Sequence, residues 1–181
     1  MTKKKHSKSG VRGLLKFSAY LLVILFLTFL LRRYVFFRSV VDGSSMESTL
    51  FDGDSLIVDE LTYRLRDPKR FEVIVFPYRS SRRYYIKRVI GLPGESVRIL
   101  DGRIYINGIE LEENYGSEEF FSGGIAENDL ILGEDEYFVL GDNRNDSVDS
   151  RSSDLGAVHR KEIEGKAFLR VYPFGSFGAV R

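Results

Sequence analysis

The sequence contains no cysteine and only two histidines among its 181 residues. The absence of cysteine excludes disulfide bonds, thiolate metal sites and a cysteine nucleophile. Two histidines are too few for a histidine-rich metal site. Any nucleophilic catalysis by this chain therefore has to use hydroxyl, carboxylate or amine side chains.

Acidic residues are absent from the first part of the chain. Residues 1–41 carry nine Lys and Arg side chains but no Asp or Glu, whereas residues 42–181 carry 18 basic and 26 acidic side chains, a net charge of −8. An acidic body repels phosphate backbones, which argues against nucleic-acid binding. Disorder is also disfavoured, because 43% of the residues are hydrophobic and the chain holds 14 Phe and 10 Tyr.

An apolar run at residues 17–31 follows the basic N-terminus. With residues 14–16 it would form a helix of about 27 Å, close to the ~30 Å hydrocarbon core, and Lys16 can snorkel toward the headgroups. A cleaved signal peptide would end in a small-x-small site, but the run is followed by Arg-Arg-Tyr-Val-Phe-Phe-Arg. The sequence therefore predicts an uncleaved membrane anchor.

The charges around this run predict how the chain is oriented. Six Lys and Arg side chains precede the run and three follow it, so the positive-inside rule places the N-terminus in the cytoplasm. We predict a cytoplasmic tail at 1–13, a transmembrane anchor at 14–33 and an extracytoplasmic domain at 34–181. The aromatic residues within 34–37 are typical of an interfacial belt. The expected localisation is a single pass through the cell membrane, with the domain at 34–181 on the outer face.

Beyond residue 39, turn-forming residues are frequent and helical periodicity is scarce. Short apolar segments bounded by turn residues predict strands at 55–58, 72–76, 84–90, 97–100, 103–106, 109–111, 137–140 and 168–172. No long helices alternate with them, so a βαβ fold is disfavoured and a body of antiparallel hairpins is expected. Residues 112–135 are polar without a clear period, which predicts a surface excursion.

Two segments of this body hold residues that could carry chemistry. Residues 41–50 contain adjacent serines after a glycine, a pattern also typical of ordinary loops. In the strand 84–90, the side chains of Tyr85, Lys87 and Val89 share one face, and both faces have apolar members. A lysine buried among apolar neighbours has a lowered pKa and can act as a general base; the alternative is that Lys87 snorkels to solvent.

A third segment, residues 141–151, is almost entirely polar. It is either a solvated loop with local Asp–Arg pairs or a hydrogen-bonded scaffold that holds another site in place.

Together the three segments resemble one known family. Gly-x-Ser-Met-x-x-Thr-Leu begins at Gly43, Tyr-Ile-Lys-Arg-Val-Ile-Gly-Leu-Pro-Gly at Tyr85, and Gly-Asp-Asn-Arg-x-x-Ser-x-Asp-Ser-Arg at Gly141. In this order behind one anchor, they resemble bacterial type I signal peptidases (leader peptidases) of the short single-anchor kind common in Gram-positive bacteria. The resemblance covers roughly residues 10–175.

The resemblance implies both a fold and an activity. The fold is mainly β: an N-terminal transmembrane helix, then an antiparallel β-sheet catalytic domain of the signal-peptidase/Ser-Lys autoprotease type. The activity is that of a membrane-bound serine endopeptidase that removes signal peptides from exported preproteins after small residues, through an acyl-enzyme intermediate. The alternative is a signal-peptidase-like pilus assembly factor with narrow or reduced activity.

The same resemblance assigns roles to residues. Ser45 matches the nucleophile and Lys87 the general base, and the hydroxyl of Ser147 is expected to orient the lysine amine. The other supporting residues are an aromatic neighbour of the lysine and two expected ion pairs: Tyr85, Asp142 with Arg88, and Asp149 with Arg151. The backbone N–H of Ser45 is the expected oxyanion donor.

Two positions depart from the family pattern. Ser48 stands where a proline, which would stiffen the turn after the nucleophile, is expected. Asp146 stands where asparagine is common. A carboxylate aimed at Lys87 would raise its pKa, but alternation predicts that Asp146 faces water if Ser147 faces the lysine.

The expected partners are signal peptides of exported preproteins and the lipid bilayer. No nucleic acid, metal or small-molecule cofactor is implied by any motif. The segment before the cut is extended, so it should bind by adding a strand to a sheet edge. By resemblance, the pockets of the enzyme that receive the side chains of this segment accept small residues. Their predicted wall residues are Val41, Met46, Leu50, Leu56 and Ile86.

Overall fold

The computed structural model of this chain describes residues 6–78, 83–116 and 122–181. The chain divides into two compact units, one ending at Phe36 and one formed by Phe37–Arg181. The first five residues of the predicted cytoplasmic tail, and the side chain of Tyr34 in the predicted aromatic belt, lie outside the described residues. The predicted boundaries at residues 13 and 33 concern position in a membrane and stay predictions.

The described part of the first unit consists mainly of one helix, α1 (His6–Tyr34), of 29 residues. At about 1.5 Å per residue it is about 43 Å long. It begins before the predicted anchor because no proline interrupts residues 6–13. Its segment Gly10–Leu31 is long and apolar enough to cross a bilayer, and no other helix in the described part of the chain is. The unit is thus an apolar helix with the length of a single-pass membrane anchor.

The remainder of the described chain is built of short strands with one short helix, α2 (Thr62–Leu65). The strands are β1 (Phe36–Val40), β2 (Ser55–Asp59), β3 (Val73–Pro77), β4 (Tyr84–Gly91), β5 (Ser96–Leu100), β6 (Arg103–Ile106), β7 (Ile109–Glu110), β8 (Leu130–Ile131), β9 (Glu136–Leu140), β10 (Val158–His159), β11 (Gly165–Tyr172) and β12 (Gly178–Ala179). All eight predicted strands are confirmed; one has the predicted bounds and the others differ by one to three residues at one or both ends. Of the four that were not predicted, three have only two residues, too few to show a period.

The strands form two antiparallel sheets. The larger has the order β1-β2-β11-β3-β4-β9-β10, with β12 paired to β11, and the smaller has the order β7-β6-β5-β8. The predicted hairpin at Asp101 and Gly102 is confirmed, because β5 pairs with β6 across it. Both turn residues have positive φ, 50° and 73°, as the tight two-residue hairpin turn requires.

Strand β4 lies inside the larger sheet, between β3 and β9. Its residues from Ile86 onwards are buried, as its apolar members on both faces predict. Ile86 packs in one apolar cluster with Met46 and Leu50, and Val89 packs in another with Phe76 and Val139. A side chain projecting from β4 into a site is therefore held by a strand that is fixed on both faces.

The prediction that residues 112–135 form only a surface excursion is wrong in part. Ala126 and Leu132 are 0% and 2% exposed and belong to the apolar cluster on the smaller sheet. Glu113 pairs with the buried Arg144 at 2.5 Å. The segment carries too few apolar side chains for a period to show, yet those few reach the core. Its residues 117–121 lie outside the described part of the chain.

Candidate active site

The loop at residues 41–50 holds Ser45 between buried apolar residues. Val41, Met46 and Leu50 are at most 5% exposed and pack in the apolar core. The backbone N–H groups of Thr49 and Leu50 both donate to the carbonyl of Met46, at 2.9 and 2.8 Å. Gly43 has a φ of +101°, a backbone conformation that residues other than glycine rarely adopt. This turn directs Met46 inward and leaves Ser45 half-buried at the edge of the core.

Lys87 reaches this serine from the centre of β4. Its Nζ lies 2.6 Å from Ser45 Oγ, across 42 residues of sequence. Lys87 is only 3% exposed, so it does not snorkel to solvent. The ring of Tyr85, two residues earlier on the same face, has its centroid 5.2 Å from the Lys87 Nζ.

Burial governs the charge of this amine. Removal from water lowers the pKa of Lys87 from its usual range near 10.5 to about 8; Asp149 and Asp142 oppose the shift, and Arg151 adds to it. A lysine with this pKa is neutral in an appreciable fraction of molecules near pH 7 to 8. It can therefore accept a proton from the serine hydroxyl beside it.

The loop after β9 surrounds the pair with buried ion pairs. Arg88 donates to both carboxylate oxygens of Asp142, at 2.8 and 2.6 Å, and both side chains are fully buried. The carboxylate of Asp149 forms an ion pair with the guanidinium of Arg151 at 2.9 Å and also accepts a hydrogen bond from the N–H of Gly141 at 3.1 Å. Both expected Asp–Arg pairs are thus formed, and loop 141–151 is a scaffold more than a solvated loop.

Gly141 allows this loop to approach Ser45. A β-carbon at Gly141 would lie closer than 3.0 Å to Ser147 Oγ and to the carbonyl oxygen of Ser45. Ser147 borders the same cleft as Lys87. However, its Oγ is buried and has no hydrogen-bond partner among the described residues. The expected hydrogen bond from Ser147 to Lys87 is therefore not formed; Ser147 packs against Gly141 while Lys87 Nζ contacts Ser45.

Asp146 is exposed, as predicted, but its carboxylate is engaged. Its Oδ2 accepts the hydroxyl of Ser44 at 2.5 Å. The carboxylates that act on the pKa of Lys87 are Asp149 and Asp142, and Asp146 is not among them. The carboxylate therefore turns toward the loop at residues 41–50 and away from the lysine.

A cleft of about 360 Å³ opens over Ser45 and Lys87. Of the predicted wall residues, Val41, Met46 and Ile86 line it. The other two predictions are wrong. Leu50 and Leu56 are 1% and 0% exposed and lie in the core beneath the cleft, because the turn after Met46 and the alternation of β2 direct them inward.

Sequence reasoning missed several residues that hold the site. Thr49 donates to Asp142 at 2.5 Å and accepts Arg88 at 3.3 Å. Asn143 donates its backbone N–H to the carbonyl of Ser45 at 3.1 Å. Both residues lie inside motifs that the sequence analysis used, so their place in those motifs could have identified them as site residues. The ring of Tyr115, 3.6 Å from the Arg88 guanidinium, had no such signal.

No group of three or more His, Asp or Glu side chains in the described part of the chain could hold a metal ion. The chemistry of the site as it stands is that of a serine hydroxyl beside a lysine amine.

A family model described as signal peptidase, peptidase S26, matches residues 14–172. The chain is a member of this family. A probable signal peptidase I-2 from Synechocystis is 39% identical over 82% of this chain and 68% of its own length. A signal peptidase I from Bacillus amyloliquefaciens is 33% identical over 96% of each chain. A solved signal peptidase I from Enterococcus faecalis aligns at 36% identity with 56% of this chain and 97% of its own, at a TM-score of 0.43.

Membership defines the enzyme class. The protein is a signal peptidase I, a serine endopeptidase, related to the Bacillus enzymes over nearly its full length. Its fold, an apolar N-terminal helix followed by an antiparallel β-sheet domain, is the fold class that the sequence predicts.

Proposed function

We propose that Ser45 and Lys87 are the dyad with which this signal peptidase I removes signal peptides from secreted preproteins. The observation that carries the proposal is the 2.6 Å contact between Ser45 Oγ and the amine of Lys87. Burial lowers the pKa of that amine to about 8. A hydroxyl is a weak nucleophile unless a base takes its proton, and the lysine is within reach to do so.

The reaction follows from this pair. Neutral Lys87 takes the proton of Ser45 as Oγ bonds to the scissile carbonyl carbon, which gives a tetrahedral oxyanion. When the C–N bond breaks, the Lys87 ammonium returns the proton to the leaving amine of the mature protein. The signal peptide is then an ester on Ser45. Lys87 then takes a proton from a water molecule, whose oxygen bonds to the ester carbon. The bond from that carbon to Ser45 Oγ breaks, and the Lys87 ammonium gives the proton to Oγ, which restores the hydroxyl and the neutral amine.

The backbone N–H of Ser45 is our candidate oxyanion donor. No described residue accepts a hydrogen bond from it. The carbonyl at the other end of the same peptide, that of Ser44, accepts the N–H of Glu47 at 3.0 Å and the side-chain amide of Asn143 at 3.3 Å. Because a peptide is planar, fixing the carbonyl also fixes the N–H. A donor held in place before reaction stabilises a developing oxyanion without reorganisation.

The cleft supports recognition of small side chains. Val41, Met46 and Ile86 supply apolar walls next to Ser45, and a space of about 360 Å³ suits a short extended segment with small residues. We place the signal peptide there in an extended conformation. For the anchor we propose a single pass through the cell membrane, with the N-terminus in the cytoplasm, because basic residues concentrate before the apolar run.

The test is cleavage of a preprotein by the detergent-solubilised full-length chain. We expect release of the mature protein by the wild type and none by Ser45→Ala or Lys87→Arg. Ser48→Ala is the matched control, since Ser48 is an exposed hydroxyl on the same loop; it should retain cleavage. Cleavage by Ser45→Ala at the wild-type rate would refute the dyad.

A further inference from the structure

The hydrogen bond between Ser44 and Asp146 joins the loop at residues 41–50 to the loop after β9. We infer that Asp146 is a positioning residue, which acts through the Ser44 hydroxyl to hold the peptide that precedes the nucleophile. The inference rests on the proposed function, because it assigns the Ser44–Ser45 peptide to the oxyanion site. Neither side chain touches Lys87 in any described contact.

The two loops meet at several points around this peptide. Ser44 Oγ donates to Asp146 Oδ2 at 2.5 Å. Asn143 donates its side-chain amide to the Ser44 carbonyl at 3.3 Å and its backbone N–H to the Ser45 carbonyl at 3.1 Å. Residues 143–146 therefore contact the backbone of both serines and the side chain of the first.

The Ser44 side chain is the end of this arrangement that is otherwise least held. Ser44 follows Gly43, whose φ of +101° belongs to a residue with wide conformational freedom. The Ser44 carbonyl accepts the N–H of Glu47 at 3.0 Å and the side-chain amide of Asn143 at 3.3 Å, whereas the Ser44 hydroxyl bonds to Asp146 at 2.5 Å. The Asp146 carboxylate thus adds a restraint through the Ser44 side chain to those on its carbonyl, and it further limits rotation of the Ser44–Ser45 peptide and of the Ser45 N–H.

This role differs from an electrostatic effect on the base. Asp142 and Asp149 are the carboxylates that raise the pKa of Lys87, and both are buried. Asp146 is exposed and faces Ser44. Loss of the Ser44–Asp146 bond should therefore lower the rate without moving the pH at which Lys87 loses its proton.

The experiment compares preprotein cleavage by Asp146→Ala, Ser44→Ala, the double variant and Asp146→Asn. We expect each alanine variant to lower kcat by roughly three- to ten-fold, the range of one hydrogen bond, with little change in KM. The double variant should lose no more than either single variant, because both remove the same bond. Asp146→Asn keeps an acceptor oxygen and should stay within about two-fold of the wild type.

Two further measurements and a control variant separate positioning from other effects. The ascending limb of the pH–rate profile should keep the wild-type midpoint in all four variants. Asp129→Ala is the matched control, because it removes an exposed carboxylate that accepts a serine hydroxyl (Ser96, at 3.4 Å) in the smaller sheet; it should leave kcat unchanged. Urea unfolding of each variant checks that the fold is retained.

Three results would overturn the inference: full kcat in both alanine variants, losses that add in the double variant, or a loss in Asp146→Asn as large as in Asp146→Ala. The last would show that the charge of the carboxylate matters and not its bond to Ser44. None of these affects the dyad, whose own test is the inactivity of Ser45→Ala.

Discussion

At the scale of single residues, the proposed chemistry depends on how little water reaches Lys87. The side chain is 3% exposed, and burial lowers the pKa of its amine to about 8. The two buried carboxylates that oppose this shift, Asp142 and Asp149, are each bound to an arginine. Their negative charge is therefore largely balanced locally, and desolvation outweighs their attraction for the ammonium form.

The pH dependence of cleavage should follow the loss of the proton from the Lys87 amine. The neutral form is reactive, so kcat/KM should rise with pH and level off above a midpoint near the pKa of about 8. Below the midpoint the ammonium predominates, and kcat/KM should fall about ten-fold per pH unit. The measurement is initial cleavage rate at low substrate concentration across the pH range. A midpoint near 10.4, the value of free lysine, would contradict a buried base.

Ser147 gives a second residue-scale prediction. Its buried Oγ has no hydrogen-bond partner among the described residues, although it borders the cleft. A buried hydroxyl without a partner does not stabilise a fold. We expect Ser147→Ala to leave the free energy of unfolding unchanged or slightly higher. Cleavage should fall about ten-fold, because the Ser147 hydroxyl can bond to the Lys87 amine once that amine gives up its contact with Ser45 during the reaction.

Unfolding in urea and preprotein cleavage measure the two effects on the same sample. Ser152→Ala, at a serine of the same loop outside the cleft, is the control. A parallel loss of stability and cleavage would mean that Ser147 is a structural residue.

At the scale of elements, the loop after β9 brings the site together. It binds β4 through Arg88 and Asp142, and the loop at residues 41–50 through Thr49, Asn143 and Ser44. The strand that carries Lys87 and the loop that carries Ser45 are thus both held against one polar segment, residues 141–151. The reason that the loop can approach so closely is the absence of a side chain at Gly141.

Gly141→Ala tests this element. The added β-carbon would lie closer than 3.0 Å to Ser147 Oγ and the Ser45 carbonyl, so the two loops must move apart. Overpacking of this kind costs about 1–3 kcal/mol of stability, and a displacement of about 1 Å at a reacting group can cost about a hundred-fold in rate. We expect cleavage to fall by about that factor while the protein stays folded.

Gly156→Ala is the comparison, because nothing lies within 4 Å of a β-carbon there. The φ of Gly156, +63°, adds some backbone strain, so any loss of stability in this variant should come without loss of cleavage at a temperature where it is folded. Wild-type cleavage by Gly141→Ala would mean that the loop can shift without moving the dyad.

At the scale of the whole molecule, the N-terminal part of the chain differs from the remainder in its charge and in having a long apolar segment. Residues 1–41 carry only basic charges, and residues 42–181 carry a net charge of −8. The helix α1 contains one segment, Gly10–Leu31, able to cross a bilayer. A basic flank before such a segment favours retention of the N-terminus in the cytoplasm.

Protease digestion tests this orientation. Added to sealed spheroplasts, a protease should degrade residues 39–181 and leave residues 1–12 protected, as detected by tags at each end of the chain. Lysed spheroplasts should lose both tags. Protection of the C-terminal tag in intact spheroplasts would refute the proposed topology.

The sequence alone determined the features that depend on neighbours along the chain. The apolar run predicts α1, the Asp101–Gly102 turn predicts the β5–β6 hairpin, and alternation places Lys87 and Tyr85 on one face of a buried strand. Three spaced motifs were enough to predict the family, because each contains the residue types of the family pattern and the three occur in the same order. These signals are local, so they need no knowledge of what lies across the fold.

The tertiary structure alone decided which side chains meet across long stretches of sequence. Leu50 and Leu56 turned out to lie beneath the cleft, Ser147 Oγ to have no described partner, and Asp146 to bind Ser44, 102 residues away. Each outcome depends on strand register, on the close approach permitted at one glycine and on the direction of single side chains. These are set by packing between distant segments, for which a pattern along one chain carries no signal.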